Sequence, residues 1–474
     1  MPVLSQARDE QEQKIPFWQS VREALRGTHQ DFTSGSISRA VFVLAIPMVL
    51  EMLMESVFAI VDMFWVTRLG SDAVTTVGLT ESMLVILFSM ALGVSLSTTA
   101  MVARRIGEKN SQQASVAAAQ SILLGLAIGV LIGITGFLYA PQLLHAMGAS
   151  PALIANGHNY TRVAFASSVT IVLLFINNAI FRGAGDAAIA MRVLWFSNAI
   201  NLLLDPLFIF GLGPLPGLGV MGAAVSTFIG RTSGVVYQFW VLGRGKARVR
   251  VRLRDLRLVP PVLFSLIRVS STGVAQFLVG HCSWLLLVRM MATFGSAAVA
   301  AYTIGLRIFI FVILPSWGLS GAAATMMGQN LGAKKPDRAK RAVYLTGVYN
   351  MIFLGLVAIV FITIPEQLLA LFTHDPAVVP TAIDFLRILA CGNLAYAFGM
   401  VMVQALNGAG DTIRPTLINL VGYWLCEIPL AYFLAFHAHL RVRGVFLSIP
   451  ISEALITCMG LFVFLRESWR RKVI

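Results

Sequence analysis

FRGAGD at residues 181–186 returns as ALNGAGD at 405–411, so the shared GAGD core recurs 225 positions downstream. The same offset separates GSDAV (70–74) from GSAAV (295–299), Pro151 from Pro376, and the Gly219-Val220 pair from Gly444-Val445. It also separates Gly107 and Ala114 from Gly332 and Ala339, in the two short basic loops RIGEKNSQQA and NLGAKKPDRA. One offset held across these landmarks marks two copies of a single architecture.

The composition says what each copy is made of. Charged residues are 12% of the 474, against about 25% in a soluble domain, hydrophobic residues are 57%, and the mean hydropathy is +0.79. So few charges cannot cover a soluble surface, which excludes a soluble enzyme, a disordered chain and a disulfide scaffold. Charge-free stretches recur at 82–103, 163–181, 206–230, 269–288, 308–333, 342–365 and 388–410. A helix crossing the hydrocarbon core needs about 20 apolar residues. The spacing predicts twelve spans, beginning near residues 39, 78, 115, 159, 190, 219, 262, 302, 341, 384, 414 and 444. The fold class is therefore all-α polytopic membrane protein, with twelve transmembrane helices in two six-helix lobes. Six is even, so the second copy enters the membrane from the same side as the first, a parallel repeat about the membrane normal. The expected organisation is a tail with a short interfacial helix over 1–36, an amino-terminal lobe over 37–242, a basic linker over 243–260, a carboxyl-terminal lobe over 261–466 and a tail over 467–474.

Lys and Arg gather in the tails and in the loops after even-numbered spans. The loops after odd-numbered spans hold only Arg68, Arg162, Arg289, Arg387, Arg441 and Arg443. The positive-inside rule then puts both termini in the cytoplasm of a bacterial inner membrane. The net charge of +14 reflects this bias and implies no nucleic-acid partner. The linker GRGKARVRVRLRDLRL (243–258) reads as a solvated segment facing anionic headgroups. No signal peptide is expected, and Phe17, Trp18, Val21 and Leu25 recur at the spacing of an interfacial helix. Cys282, Cys391, Cys426 and Cys458 stand alone within spans and read as small core residues. GLGPLPGLG (211–219) follows no strand and contains two prolines, so it reads as an external turn and not a dinucleotide loop. No Walker loop, HExxH or GxSxG context occurs, so no enzymatic activity and no cofactor are expected.

Ionisable residues within spans are functional candidates by default. Glu51, Glu55 and Asp62 fall on one face of span 1, and Asn201 and Asp205 are one turn apart in span 5. Counting from the outer ends, Asp62, Asp205 and Thr227 of span 6 (beside Ser226) reach a common depth of about 8–12 Å. Two carboxylates, an amide and a hydroxyl at one depth suit a hard monovalent cation or a retained proton. A structural polar cluster is the alternative. In the carboxyl-terminal lobe Glu427 and Glu453 also share a depth; they read either as a second cation site or as structural acids, with an ion pair to Arg307 among the options. His281 reads as a core histidine or a ligand, and Leu287 stands where Asp62 stands in the first copy.

VDMFWVTRLG (61–70), ARRIGEKN (103–110), FRGAGD (181–186), NAINLLLDPLFIFGLG (198–213), GVMGAAVST (219–227) and ALNGAGD (405–411) together resemble the multidrug and toxic compound extrusion (MATE) family over residues 35–466. The absence of acids in spans 7 and 10 makes the chain similar to the DinF-like branch. The resemblance implies efflux of organic cations or amphipathic drugs in exchange for H⁺ or Na⁺, by alternating access. It implies a cation site at Asp62, Asn201, Asp205 and Thr227, which is where Na⁺, if used, would bind, and a bend point at Pro47. Glu55 and Asn178 are expected to line the drug cavity. A monomer in the lipid bilayer is expected. The competing readings are a flippase for a lipid-linked precursor, disfavoured by an acidic cavity face, and an ion channel, which does not need two fused halves.

Overall fold

The computed structural model describes residues 17–27, 31–212, 215–244 and 247–472. The rest of the amino-terminal tail, the tip of the 211–219 turn and the last two residues lie outside the described residues. A short helix α1 (Phe17–Arg26) precedes the spans, as its apolar spacing predicts, with Trp18 exposed and Glu23 paired to Arg39. The first copy comprises α2 (Ile37–Thr67), α3 (Ser71–Gly107), α4 (Ser111–Ala146), α5 (Pro151–Ala166) with α6 (Ser168–Ala184), α7 (Ala187–Phe210) and α8 (Val220–Arg244). Between α7 and α8 the turn carries a minimal antiparallel pair, β1 (Gly211–Leu212) with β2 (Leu215–Pro216). The second copy comprises α9 (Pro260–Ala292), α10 (Ser296–Gly332), α11 (Pro336–Thr363) with the short α12 (Pro365–Ala370), and α13 (Val379–Gly408). Its eleventh span, over 413–437, comprises α14 (Ile413–Asn419), α15 (Ile428–Tyr432) and two π-helical stretches, Leu420–Glu427 and Phe433–His437; α16 (Arg441–Leu465) closes it.

Among the described residues eleven of these spans are apolar enough to cross a membrane by composition alone. The twelfth is α8, whose 25 residues reach about 37 Å and also suffice, although Arg231 lies mid-helix. The repeat is visible in the backbone. α3 and α10 start and stop 225 residues apart, and left-handed residues pair by the same offset: Gly70 (φ 97°) with Gly295 (φ 101°), and Lys109 (φ 58°) with Lys334 (φ 57°).

The GAGD motif is explained residue by residue. Gly185 and Gly410 are left-handed caps at φ 87° and 82°, where the amides of Asp186 and Asp411 reach back to the carbonyls of Phe181 and Leu406, five residues earlier. Gly183 and Gly408 lie where two helices nearly touch. A Cβ there would stand 2.8 Å from the Thr99 carbonyl oxygen and 2.3 Å from that of Ala324 respectively. Each aspartate reaches the basic segment that follows the last span of its own copy, and Asp411 also holds Arg414 of α14. Asp186 accepts from the Arg248 amide at 2.8 Å, and Asp411 pairs with Arg414 at 2.6 Å and Lys472 at 3.3 Å. Gly408→Ala is therefore expected to force α13 off α10, costing about 1–3 kcal/mol in detergent melting, as overpacking does. Gly243→Ala, with nothing within 4 Å, should leave the melting temperature unchanged or slightly raised.

The described chain separates into two compact units, but not at the linker. One contains residues 1–49, 107–109 and 275–474, and the other 50–106 and 110–274. This division cuts α2 after Val49 and α9 before Ala275, and so differs from the expected lobe boundary at 243–260. Close helix crossings account for this, since Gly318 leaves no room for a Cβ beside the Met48 backbone and Gly93 leaves none beside Val274. The linker is also more fixed than a solvated segment. Gln120 of α4 hydrogen-bonds the Arg257 carbonyl at 2.9 Å and accepts from the Val259 amide at 3.1 Å, while Gln112 donates to Asp255 at 3.4 Å. The carboxyl-terminal unit has a core in which Tyr302, Phe385 and Phe446 pack ring on ring.

Candidate cation site and polar column

Three acids on one face of α2 meet three successive layers of polar side chains from α6, α7 and α8. All of them belong to one unit. Glu51, 1% exposed, accepts hydrogen bonds from Asn178 Nδ2 and Arg182 Nη1, each at 3.0 Å. Gln238 extends this layer, donating to Asn178 Oδ1 at 2.8 Å and accepting from Asn177 at 3.1 Å. Glu55, two turns before Asp62, pairs with Arg231 at 3.7 Å and accepts from Asn198 at 3.4 Å. Arg231 also lies over the Phe58 ring, 5.6 Å from its centroid.

The third layer brings Asn201, Asp205, Ser226 and Thr227 together. Asn201 Nδ2 lies 3.2 Å from Asp205 Oδ1, 3.2 Å from Thr227 Oγ1 and 3.4 Å from Ser226 Oγ. Ser226 donates a short hydrogen bond to Asp205 Oδ1. Asp205 and Asn201 are 0% and 1% exposed, yet Asp205 Oδ2 and Asn201 Oδ1 have no hydrogen-bond partner among the described residues. Asp62 is half-buried and carries no hydrogen bond to this cluster; the charges acting on it are those of Asp205, Glu81 and Arg231. Two orphaned buried oxygens, a second carboxylate and a hydroxyl are hard donors, suited to Na⁺ or a proton and not to a soft metal. Among the described residues no group of three or more His, Cys, Asp or Glu is placed to hold a metal ion.

Asn178 is buried in the Glu51 layer, and Glu55 is tied to Arg231. The α2 face is also less acidic than its sequence implies, because Arg182 and Arg231 neutralise two of its three carboxylates. Glu81 and Arg231 were missed because each sits just outside a charge-free stretch, at 82–103 and 206–230. Ser226 was passed over for its neighbour Thr227. Pro47 lies inside an unbroken α2. Lacking an amide, it leaves the carbonyl one turn earlier without its usual helical donor.

In the carboxyl-terminal unit Glu427 and Glu453 line one cavity together with Leu287, the counterpart of Asp62. Glu427 accepts from Ser283 at 3.0 Å and Glu453 from the Tyr423 hydroxyl at 3.0 Å. The Arg307 pairing considered for Glu427 is not formed among the described residues, and Arg307 is exposed. His281 lies 2.9 Å from the carbonyl of Phe277 in its own helix and takes no part in lining the cavity.

The family profile MatE matches residues 47–207 and again 274–433, once per copy. The FAD transporter of Shewanella oneidensis is 26% identical over 89% of this chain and 93% of that protein. The multidrug export protein MepA of Staphylococcus aureus is 24% identical over 91% and 94%. Among solved structures, a MATE protein in a straight conformation matches with a TM-score of 0.87 at 26% identity, over 95% of this chain and 99% of that one. A bent conformation matches at 0.85, with 26% identity over 95% and 98%.

Proposed function

Because the chain belongs to the MatE family, whose members are membrane transporters and not enzymes, we propose that it is a secondary-active exporter of cationic or amphipathic organic compounds, driven by inward flow of H⁺ or Na⁺. The observation that carries this reading is the pair of buried, unpartnered oxygens, Asp205 Oδ2 and Asn201 Oδ1, beside the half-buried Asp62. With no positive ion bound, Asp62 and Asp205 repel in a low dielectric. A proton or Na⁺ on Asp62, Asn201, Asp205 and Thr227 removes that repulsion and lets the outer half of α2 settle toward α7 and α8. Pro47 supplies the weak point at which α2 bends. Similar MATE structures are known in a straight and in a bent conformation, which supports a protein that works in two shapes. Bending narrows the substrate cavity and releases cargo outward; loss of the ion to the cytoplasm resets the cycle. The distribution of Lys and Arg supports cytoplasmic termini.

A second reading concerns the cargo. Arg182 and Arg231 offset Glu51 and Glu55, and one relative carries FAD, so an anionic dinucleotide is the alternative passenger. Proteoliposomes loaded with either ethidium or FAD, under an imposed pH gradient or separately a sodium gradient, decide both questions. The expected result is ethidium export that saturates with dye and collapses with one of the two gradients. FAD export alone would move the cargo to the second reading. Non-saturating flux would overturn the carrier.

A further inference from the structure

Glu427, Glu453 and Tyr302 meet in a cavity of 40 Å³ within the carboxyl-terminal unit, apart from the Asp62–Asp205 layer. That volume admits a water or a small ion but no drug-sized molecule. Each glutamate has one oxygen engaged, Glu427 by Ser283 and Glu453 by Tyr423, and the other oxygens have no hydrogen-bond partner among the described residues. Tyr302 is 1% exposed, lines the same space and lies within the field of the Glu427 charge, yet its hydroxyl makes no hydrogen bond among the described residues. Tyr396 also lines the cavity, in the field of both glutamates. Among the described residues no cationic side chain lines the cavity with the pair: Arg307 on α10 is exposed and His281 lies outside the lining.

The repeat gives this cavity a second meaning. Leu287 occupies the place of Asp62 and forms part of the wall. Glu427 comes three positions before Leu430, the counterpart of Asp205, and Glu453 directly follows Ser452, the counterpart of Thr227. The carboxylates have thus moved off the first span of the copy onto its last two while remaining around the same wall. At Glu427 the backbone is π-helical: the Ile428 amide reaches the Tyr423 carbonyl, five residues back, and Pro429 follows, which has no amide to give. Such insertions often mark functional positions. Two buried carboxylates without a cationic partner among the described residues require a counter-charge.

We propose that Glu427 and Glu453, with Tyr302, form a second site that holds one monovalent cation, a proton or Na⁺, inside the carboxyl-terminal half. It rests on the transport reading only for the use to which the ion is put; occupancy itself does not. The test uses the purified full-length Asp62→Asn/Asp205→Asn protein, so that the first layer is silent. Radiolabelled sodium binding measures Na⁺. The infrared carboxyl stretch in sodium-free buffer at neutral pH measures a retained proton. The expected result is about one equivalent of bound sodium, or one protonated-carboxyl band, abolished in folded Glu427→Gln and Glu453→Gln variants. Tyr302→Phe keeps both acids and should weaken sodium binding about tenfold, or move the band's titration midpoint, by removing the hydroxyl that would face the bound ion. Absence of both signals, their survival without both glutamates, or an unchanged Tyr302→Phe overturns the site. A protein that binds here but exports nothing defeats the transport reading and leaves this one standing; a protein that exports without binding here does the reverse.

Discussion

Asp205→Asn should reduce gradient-driven ethidium efflux to the level of protein-free vesicles while the protein melts at or above the wild-type temperature. The two halves of this expectation have different causes. Asp205 is wholly buried, its Oδ1 receives Ser226 and Asn201, and its Oδ2 receives nothing. An amide has nearly the same shape and is cheaper to bury than an uncompensated charge, so folding does not suffer. A neutral amide, however, cannot exchange a proton and offers no charge to draw in Na⁺. The repulsion from Asp62 that the ion is meant to relieve is then absent in every state. Asp62→Asn should abolish coupling in the same way. Thr227→Ala should only weaken ion dependence, because the hydroxyl is one neutral donor among several. A structural polar cluster predicts the opposite pattern: efflux falling in step with melting temperature across the three variants. Full coupling in a folded Asp205→Asn protein would end the assignment.

Backbone-level features were legible in the sequence because glycine writes conformation directly. The GAGD repeat encodes left-handed caps at Gly185 and Gly410 and close crossings at Gly183 and Gly408, and all four are found where the 225-residue offset puts them. Long apolar runs likewise encode spans, since little else can bury them. What a side chain reaches was less legible. Counting residues along a helix gives depth, which put Asp62, Asp205 and Thr227 at one level; Asp205 and Thr227 share the partner Asn201, while Asp62 makes no hydrogen bond to them. It does not give the lateral reach of a long side chain, so Arg231, which ends on Glu55, was invisible as a partner. The unit boundary was hidden for a related reason. A loop rich in Arg looks like a divider, but Gln120 binds its backbone at Arg257 and Val259 and Gln112 binds its Asp255 side chain, and the two compact units divide instead within α2 and α9.

The largest structural effect is expected at Arg182, the variable residue that precedes GAGD in the first copy and is Asn407 in the second. Arg182→Met removes the guanidinium from Glu51 and leaves a carboxylate 1% exposed with only Asn178 as a hydrogen-bond donor. Breaking a buried ion pair from one side costs about 3–5 kcal/mol, because the remaining charge keeps its desolvation penalty and loses its compensation. Glu51→Gln should cost far less. Glu51 Oε2 is already unpartnered, and Arg182 is partly exposed and can turn toward water. The double variant Glu51→Gln/Arg182→Met should then recover most of the loss, so that detergent melting of the four proteins yields a coupling energy of several kcal/mol. The second copy provides the internal control. Asn407 donates to Gln404 at 3.1 Å and faces no buried acid in the corresponding place, so Asn407→Met should be mild. If Arg182→Met and Glu51→Gln prove additive, the layer is held by packing alone, and the α2 acids are then fixed in height by their helix and not by the arginines opposite them.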